Sequence, residues 1–99
     1  MLKQGDLRVW WIPQVPMKSF DVDVKSIEEG VKIMQVLAYY DMFQFENNIK
    51  PDYANAGGLI VWDLNSDGEG TPDWINWFDE ETGCEDPEEY LKLKNKGEV

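Results

Sequence analysis

Hydrophobic and polar positions follow two different periods along the chain, and each change of period marks an element. Leu7-Arg-Val-Trp-Trp-Ile12 is dense in β-branched and aromatic residues and stops at Pro13, which predicts a strand. Its alternation sets Leu7, Val9 and Trp11 on one face and Arg8, Trp10 and Ile12 on the other. Pro13 and Pro16 then impose an extended link through Gln14-Val15. Ser26-Ile-Glu-Glu29 matches a capping box, in which hydroxyl and carboxylate satisfy orphan N–H groups at a helix start. Ile27, Val31, Met34 and Ala38 follow at helical spacing, widened by Leu37 and Tyr40, and predict an amphipathic helix of about four turns. Gly30 inside it costs roughly 1 kcal/mol against alanine and marks a place for close packing on a sheet.

After Asp41 the period changes again. Phe43-Gln-Phe45-Glu46 alternates every second residue, which predicts a short strand with both rings facing the helix. Asn47-Asn48, Pro51-Asp52 and Asn55-Ala-Gly57-Gly58 carry turn chemistry. Leu59–Leu64 and Asp73–Phe78 read as strands joined by a long polar hairpin loop. A short helix is expected from Asp86-Pro87 toward Lys94, with proline at its first position and lysines in its last turn. The expected fold is α+β: a three- to four-stranded, mostly antiparallel sheet with one main helix on one face and a short C-terminal helix. At 99 residues the chain suits a single domain, 1–99, with its core in about 7–83 and an acidic tail over 84–99.

Charge changes the picture in the second half. The net charge is −11, and while residues 1–60 hold 8 acids and 6 bases, residues 61–99 hold 12 acids against Lys92, Lys94 and Lys96. A field of that sign repels phosphate backbones and anionic lipid, so direct nucleic-acid binding is not expected and basic protein partners are favoured. The hydrophobic fraction of 42%, with 13% aromatics, belongs to a folded chain. No run approaches the ~20 apolar residues of a membrane span, and no secretory leader is evident. The expectation is a soluble intracellular protein.

The chemistry available is narrow. With no histidine there is no His-based triad, imidazole metal site or histidine pH switch. The single Cys84 excludes an internal disulfide, and its acidic neighbours Glu81, Glu85 and Asp86 disfavour a thiolate nucleophile. Gly57-Gly58 lacks the rest of a phosphate loop. Acid pairs are plentiful but lie in runs whose neighbours point apart, so no enzyme is expected. Asp63, Asn65 and Asp67, followed by Gly68, match the first half of an EF-hand loop and are a weak calcium candidate; the second half fails, since position 12 of the loop is Trp74. A hairpin of Asx-turns explains the same residues, and otherwise no cofactor is expected.

Five tryptophans are more than a core this small easily buries. Trp10 and Trp11 are adjacent and point to opposite faces, so one of them lies away from the helix-covered side. An outward tryptophan beside Arg8, Tyr53 or Trp62 would form an apolar, polar-tipped patch suited to a protein interface or to stacking on a ring. A homo-oligomer, a foreign partner or intrachain cover would each satisfy it.

Several segments resemble small bacteriophage proteins labelled superinfection exclusion proteins: Leu7-Arg-Val-Trp-Trp-Ile-Pro-Gln-Val-Pro-Met17, the residues from Tyr40 to Tyr53, Asn55-Ala-Gly-Gly-Leu59 and Trp77-Phe-Asp-Glu-Glu-Thr-Gly83. The resemblance covers most of 7–83 and implies a phage-encoded function, blocking a second phage, in the host cytoplasm. It carries over no catalytic residue, and the absence of a membrane segment directs its mechanism to a soluble contact. The expected function is a non-enzymatic binding protein that excludes superinfecting phage or blocks a host defence factor. Its partner would be a host or phage protein, met through Trp10, Trp11, Tyr53, Asn55 and Trp62, with Asp79, Glu80 and Glu81 among the steering charge. The alternatives are an acidic DNA mimic that occupies a DNA-binding protein, and an oligomer that sequesters a nucleotide between tryptophans and Arg8, Lys18 or Lys50.

Overall fold

A computed structural model describes residues 2–13, 16, 18–47 and 55–97. Strands β1 (Leu7–Ile12) and β2 (Phe20–Val24) precede helix α1 (Ile27–Glu46), and β3 (Ala56–Asp63), β4 (Asp73–Asn76) and helix α2 (Pro87–Asn95) follow. The four strands form one sheet in the order β2-β1-β3-β4, with every neighbouring pair antiparallel. This is the expected α+β architecture. The Gln14-Val15 link and the turn residues Asn48, Pro51 and Asp52 lie outside the described residues.

The register decides which side chains share a face. Val9 pairs with Val22 and Leu59, and Leu7 pairs with Val24 and Val61, so these residues line one side of the sheet. α1 covers that side. Val9, Val24, Leu59 and Trp77 form the buried cluster, with Ile27, Ile33, Met34 and Leu37 of α1 and Tyr90 of α2 packed against it. A Cβ on Gly30 would stand 3.0 Å from Leu59 Cδ1 and 3.5 Å from Val24 Cγ2, so the missing side chain lets α1 lie close to the sheet. The Ser26 hydroxyl oxygen accepts from the Glu29 N–H at 3.1 Å and starts the helix where the capping motif placed it. α2 starts on Asp86, whose carboxylate accepts from Glu88 N–H at 3.0 Å, with Pro87 in its first turn.

The chain differs from expectation in several places, β3 among them, which starts at Ala56 and not at Leu59 and so takes in Gly57-Gly58, expected as a turn. Phe43–Glu46 is not a strand; α1 runs unbroken through it for 20 residues. Alternation over four residues also fits a helix that is already propagating, where each added residue closes another hydrogen bond. Asn47 ends the helix with its backbone N–H and its side-chain amide both donating to Phe43 O. The rings of Phe43 and Phe45 are both exposed. A further difference is β2, a strand where no element was expected. Asp21 and Asp23 make this edge strand polar on one face, and pairing with β1 supplies the backbone hydrogen bonds that define it. The last strand is also shorter than Asp73–Phe78, ending at Asn76, although Trp77 N–H still donates to Leu59 O at 3.0 Å.

Candidate binding face

Trp10 and Trp11 take opposite sides of β1, as alternation requires, and each side chain lies on a glycine of β3. Trp11 pairs with Gly57 and Trp10 with Gly58. A Cβ on Gly57 would come within 2.1 Å of Trp11 Cε3, and one on Gly58 within 2.8 Å of Trp10 Nε1. Glycine is required at both positions because an indole occupies the space a side chain would use. The Trp-Trp and Gly-Gly pairs are therefore two halves of one packing device, one half on each strand.

Trp11 faces the helix and is buried. Its Nε1 donates to Asp41 Oδ2 at 2.8 Å, and Asn55 Nδ2 donates to the same oxygen at 2.9 Å. Asp41 is 2% exposed. A carboxylate this deep requires such donors, and the three residues tie β1, α1 and the start of β3 together. Of the two expected on a binding surface, Trp11 is thus buried and Asn55 half-buried beside it, each engaged with Asp41. Asp41 was missed; the available signal was an acid within an otherwise apolar stretch of helix.

Neither helix packs on the other side of the sheet. By register that side carries Arg8 and Trp10 of β1, Ile60 and Trp62 of β3, and Trp74 of β4. Trp62 and Trp74 are directly cross-strand and meet edge to face, with centroids 5.4 Å apart and planes at 67°. The Arg8 guanidinium lies 4.4 Å over the Trp74 ring, and its Nε donates to Asp23 Oδ1 at 2.6 Å. Trp62 Nε1 is buried without a hydrogen-bond partner among the described residues. The face is an aromatic platform with one cation held in place by a ring and a carboxylate. Of the expected binding residues, Trp10 and Trp62 lie on it and Tyr53 lies outside the described residues. Trp74 and Arg8 join them. Their place could be read only after the length of the hairpin loop had set which residue of β4 stands opposite Trp62.

The acidic candidates divide. Asp79 is half-buried and braces its own loop, accepting from both the N–H and the hydroxyl of Thr82. Glu80 and Glu81 are exposed. In the 63–72 hairpin, Asp63 Oδ1 accepts from Asn65 N–H at 2.9 Å, Asp67 Oδ1 from Glu69 N–H at 2.8 Å, and Asn65 Oδ1 from Gly70 N–H. A side-chain hydrogen bond from Thr71 and then the Glu69 N–H hold the Asp67 carboxyl below its ordinary pKa. Each calcium candidate thus turns a side-chain oxygen to the loop backbone, in the manner of Asx-turns. Among the described residues no group of three or more acids or cysteines is placed to hold a metal ion.

A cavity of about 500 Å³ opens at the edge of β3, between Trp10, Gly57, Trp77 and Phe78 on one side and Glu85 and Asp86 on the other. Among the described residues its lining contains two acids and no base, which opposes an anionic nucleotide. Arg8 is already engaged with Asp23 and Trp74, Lys18 is exposed, and Lys50 lies outside the described residues. No described helix is long and apolar enough to cross a membrane.

Comparison with known proteins agrees with the sequence resemblance. Residues 6–96 match the family described as superinfection exclusion gene product 17. The superinfection exclusion protein of Salmonella phage P22 is 52% identical, over 87% of this chain and 89% of its own length. No solved structure matches. The match spans both faces of the sheet and both helices, and the chain belongs to the superinfection exclusion gene product 17 family.

Proposed function

We propose that this phage protein acts in superinfection exclusion by stoichiometric binding, not catalysis, in the cytoplasm of the infected host. The observation that carries this reading is the sheet face left uncovered by both helices, where Trp10, Trp62 and Trp74 lie beside Arg8. Aromatic and arginine side chains contribute most where an interface is fully desolvated, and this platform presents both without loop rearrangement. The partner is a host or phage protein. The excess of acids in residues 61–99 steers a basic one toward the face, and the contact itself is made by the rings.

The test is efficiency of plating of a superinfecting phage on cells that express wild type, Trp62→Ala, Trp74→Ala or the double variant Glu80→Gln with Glu81→Gln. Each tryptophan variant is expected to lose exclusion by at least ~tenfold, while circular dichroism retains the wild-type spectrum. The Glu80 and Glu81 variant is expected to keep most exclusion at normal expression and to lose it at low expression, because steering changes association rate more than affinity. Full exclusion by both tryptophan variants would overturn the reading. Loss of exclusion in the glutamate variant alone would transfer the function to acidic mimicry of DNA.

A further inference from the structure

α1 buries only part of its circumference. Val36 is 53% exposed, Tyr39 69%, Tyr40 56% and Phe43 55%. Positions 36, 39, 40 and 43 stand at i, i+3, i+4 and i+7, so these four side chains form one continuous apolar stripe along the helix. Val36, Tyr39, Tyr40 and Phe43 at these exposures leave roughly 450 Å² of mostly aromatic surface in water. That is rather more than half of the ~800 Å² that each partner contributes to a standard stable interface. A surface of this size and continuity is a contact surface.

Charge selects its occupant. From Gly30 to Phe45 the one acid is Asp41, which is buried, so on this stretch of a −11 chain a second copy meets little like-charge repulsion. The stripe is also symmetric about its midpoint between Tyr39 and Tyr40. Laid antiparallel on a second copy, Val36 meets Phe43 of that copy and Tyr39 meets its Tyr40. The exposed Lys32, one turn before Val36, then falls within one residue of the exposed Glu46 of the second copy, three residues past Phe43. A parallel arrangement would set Glu46 against Glu46 and Lys32 against Lys32. We propose that this protein forms a two-fold symmetric homodimer along α1, with the two helices antiparallel, the Val36-Tyr39-Tyr40-Phe43 stripes in contact and Lys32 of each copy paired with Glu46 of the other. Such a contact is isologous and closes at two copies. It lies on the opposite side of the sheet from the tryptophan platform, so one dimer would present two such platforms.

Sedimentation velocity of the full chain from ~1 to ~100 µM tests the proposal. A species of about twice 11.5 kDa is expected. Tyr39→Glu should weaken the dimer by at least ~tenfold, since it places a charge at the centre of the contact. Lys32→Glu should weaken it as well, and adding Glu46→Lys should restore it, because the swapped pair regains its sign. The Lys32 and Glu46 positions are exposed and outside the core, so this arm reads the interface even where Tyr39→Glu perturbs the fold. A monomer at the highest concentration with a native circular dichroism spectrum would overturn the proposal. A dimer indifferent to all of these substitutions, or a Lys32→Glu defect that Glu46→Lys deepens, would also overturn it.

Discussion

The residue that repays closest attention is Gly57, because its role is written in another strand. Its missing Cβ leaves the space filled by Trp11, and Trp11 in turn supplies a hydrogen bond to the buried Asp41. Gly57→Ala is expected to destabilise the fold by about 1–3 kcal/mol through overpacking, a cost that should shrink markedly in a Trp11→Ala background. A double-mutant cycle by urea unfolding checks it; additive costs would show that the glycine serves its backbone and not the indole. Trp11 also shows the limit of reading side chains singly. Alternation told correctly that the two tryptophans part company. It could not tell that Trp11 would be anchored by an aspartate 30 positions later, since only the docking of α1 brings the two together.

At the scale of elements, the best-read segments carry both a boundary signal and a period. The Ser26 cap opening α1 and the Asp86-Pro87 start of α2 stand where the motifs placed them. The end of α1 was misread because four residues of alternation carry no period of their own and the helix had no strong stop before Asn47. The 63–72 hairpin was read in two ways, and the structure turns its oxygens to its own backbone N–H groups. Chelation by EDTA is therefore expected to leave the thermal midpoint unchanged, and added calcium to raise it by no more than an ionic-strength control. The same hydrogen bonds set the pH response of the loop. Asp67 has a folded pKa below the ordinary aspartate value of 3.8, so its contribution is present above that pH and is lost as pH falls through the lower folded value. The amide resonances of Glu69 and Thr71 should accordingly keep their positions down to about pH 4 and shift only below it. Movement centred well above that point would show that the carboxylate is not held in this way.

The molecule as a whole carries a net charge of −11 around a small buried core. Self-repulsion of that size opposes the compact state and is screened by salt. Thermal stability is expected to rise as sodium chloride is raised from ~10 to ~150 mM, where the Debye length shortens from ~30 to ~8 Å. A midpoint that falls over this range would mean that attractive ion pairs such as Arg8–Asp23 and Lys94–Glu28 outweigh the repulsion. Salt also bears on association, since dimer formation along α1 brings two acidic chains together and should strengthen in the same direction.

By itself the sequence determined the class of fold, the capped starts of both helices, the two-sided placement of Trp10 and Trp11, the acidic second half and the family. Each of these rests on local chemistry or on a pattern that survives whatever the rest of the chain does. Only the tertiary structure decided the sheet order and register, and with them which tryptophans share the uncovered face, which one is locked onto Asp41, and which stripe of α1 is left without cover. Those depend on cross-strand partners tens of residues apart, and the energy that selects them comes from packing between elements, which no single segment encodes.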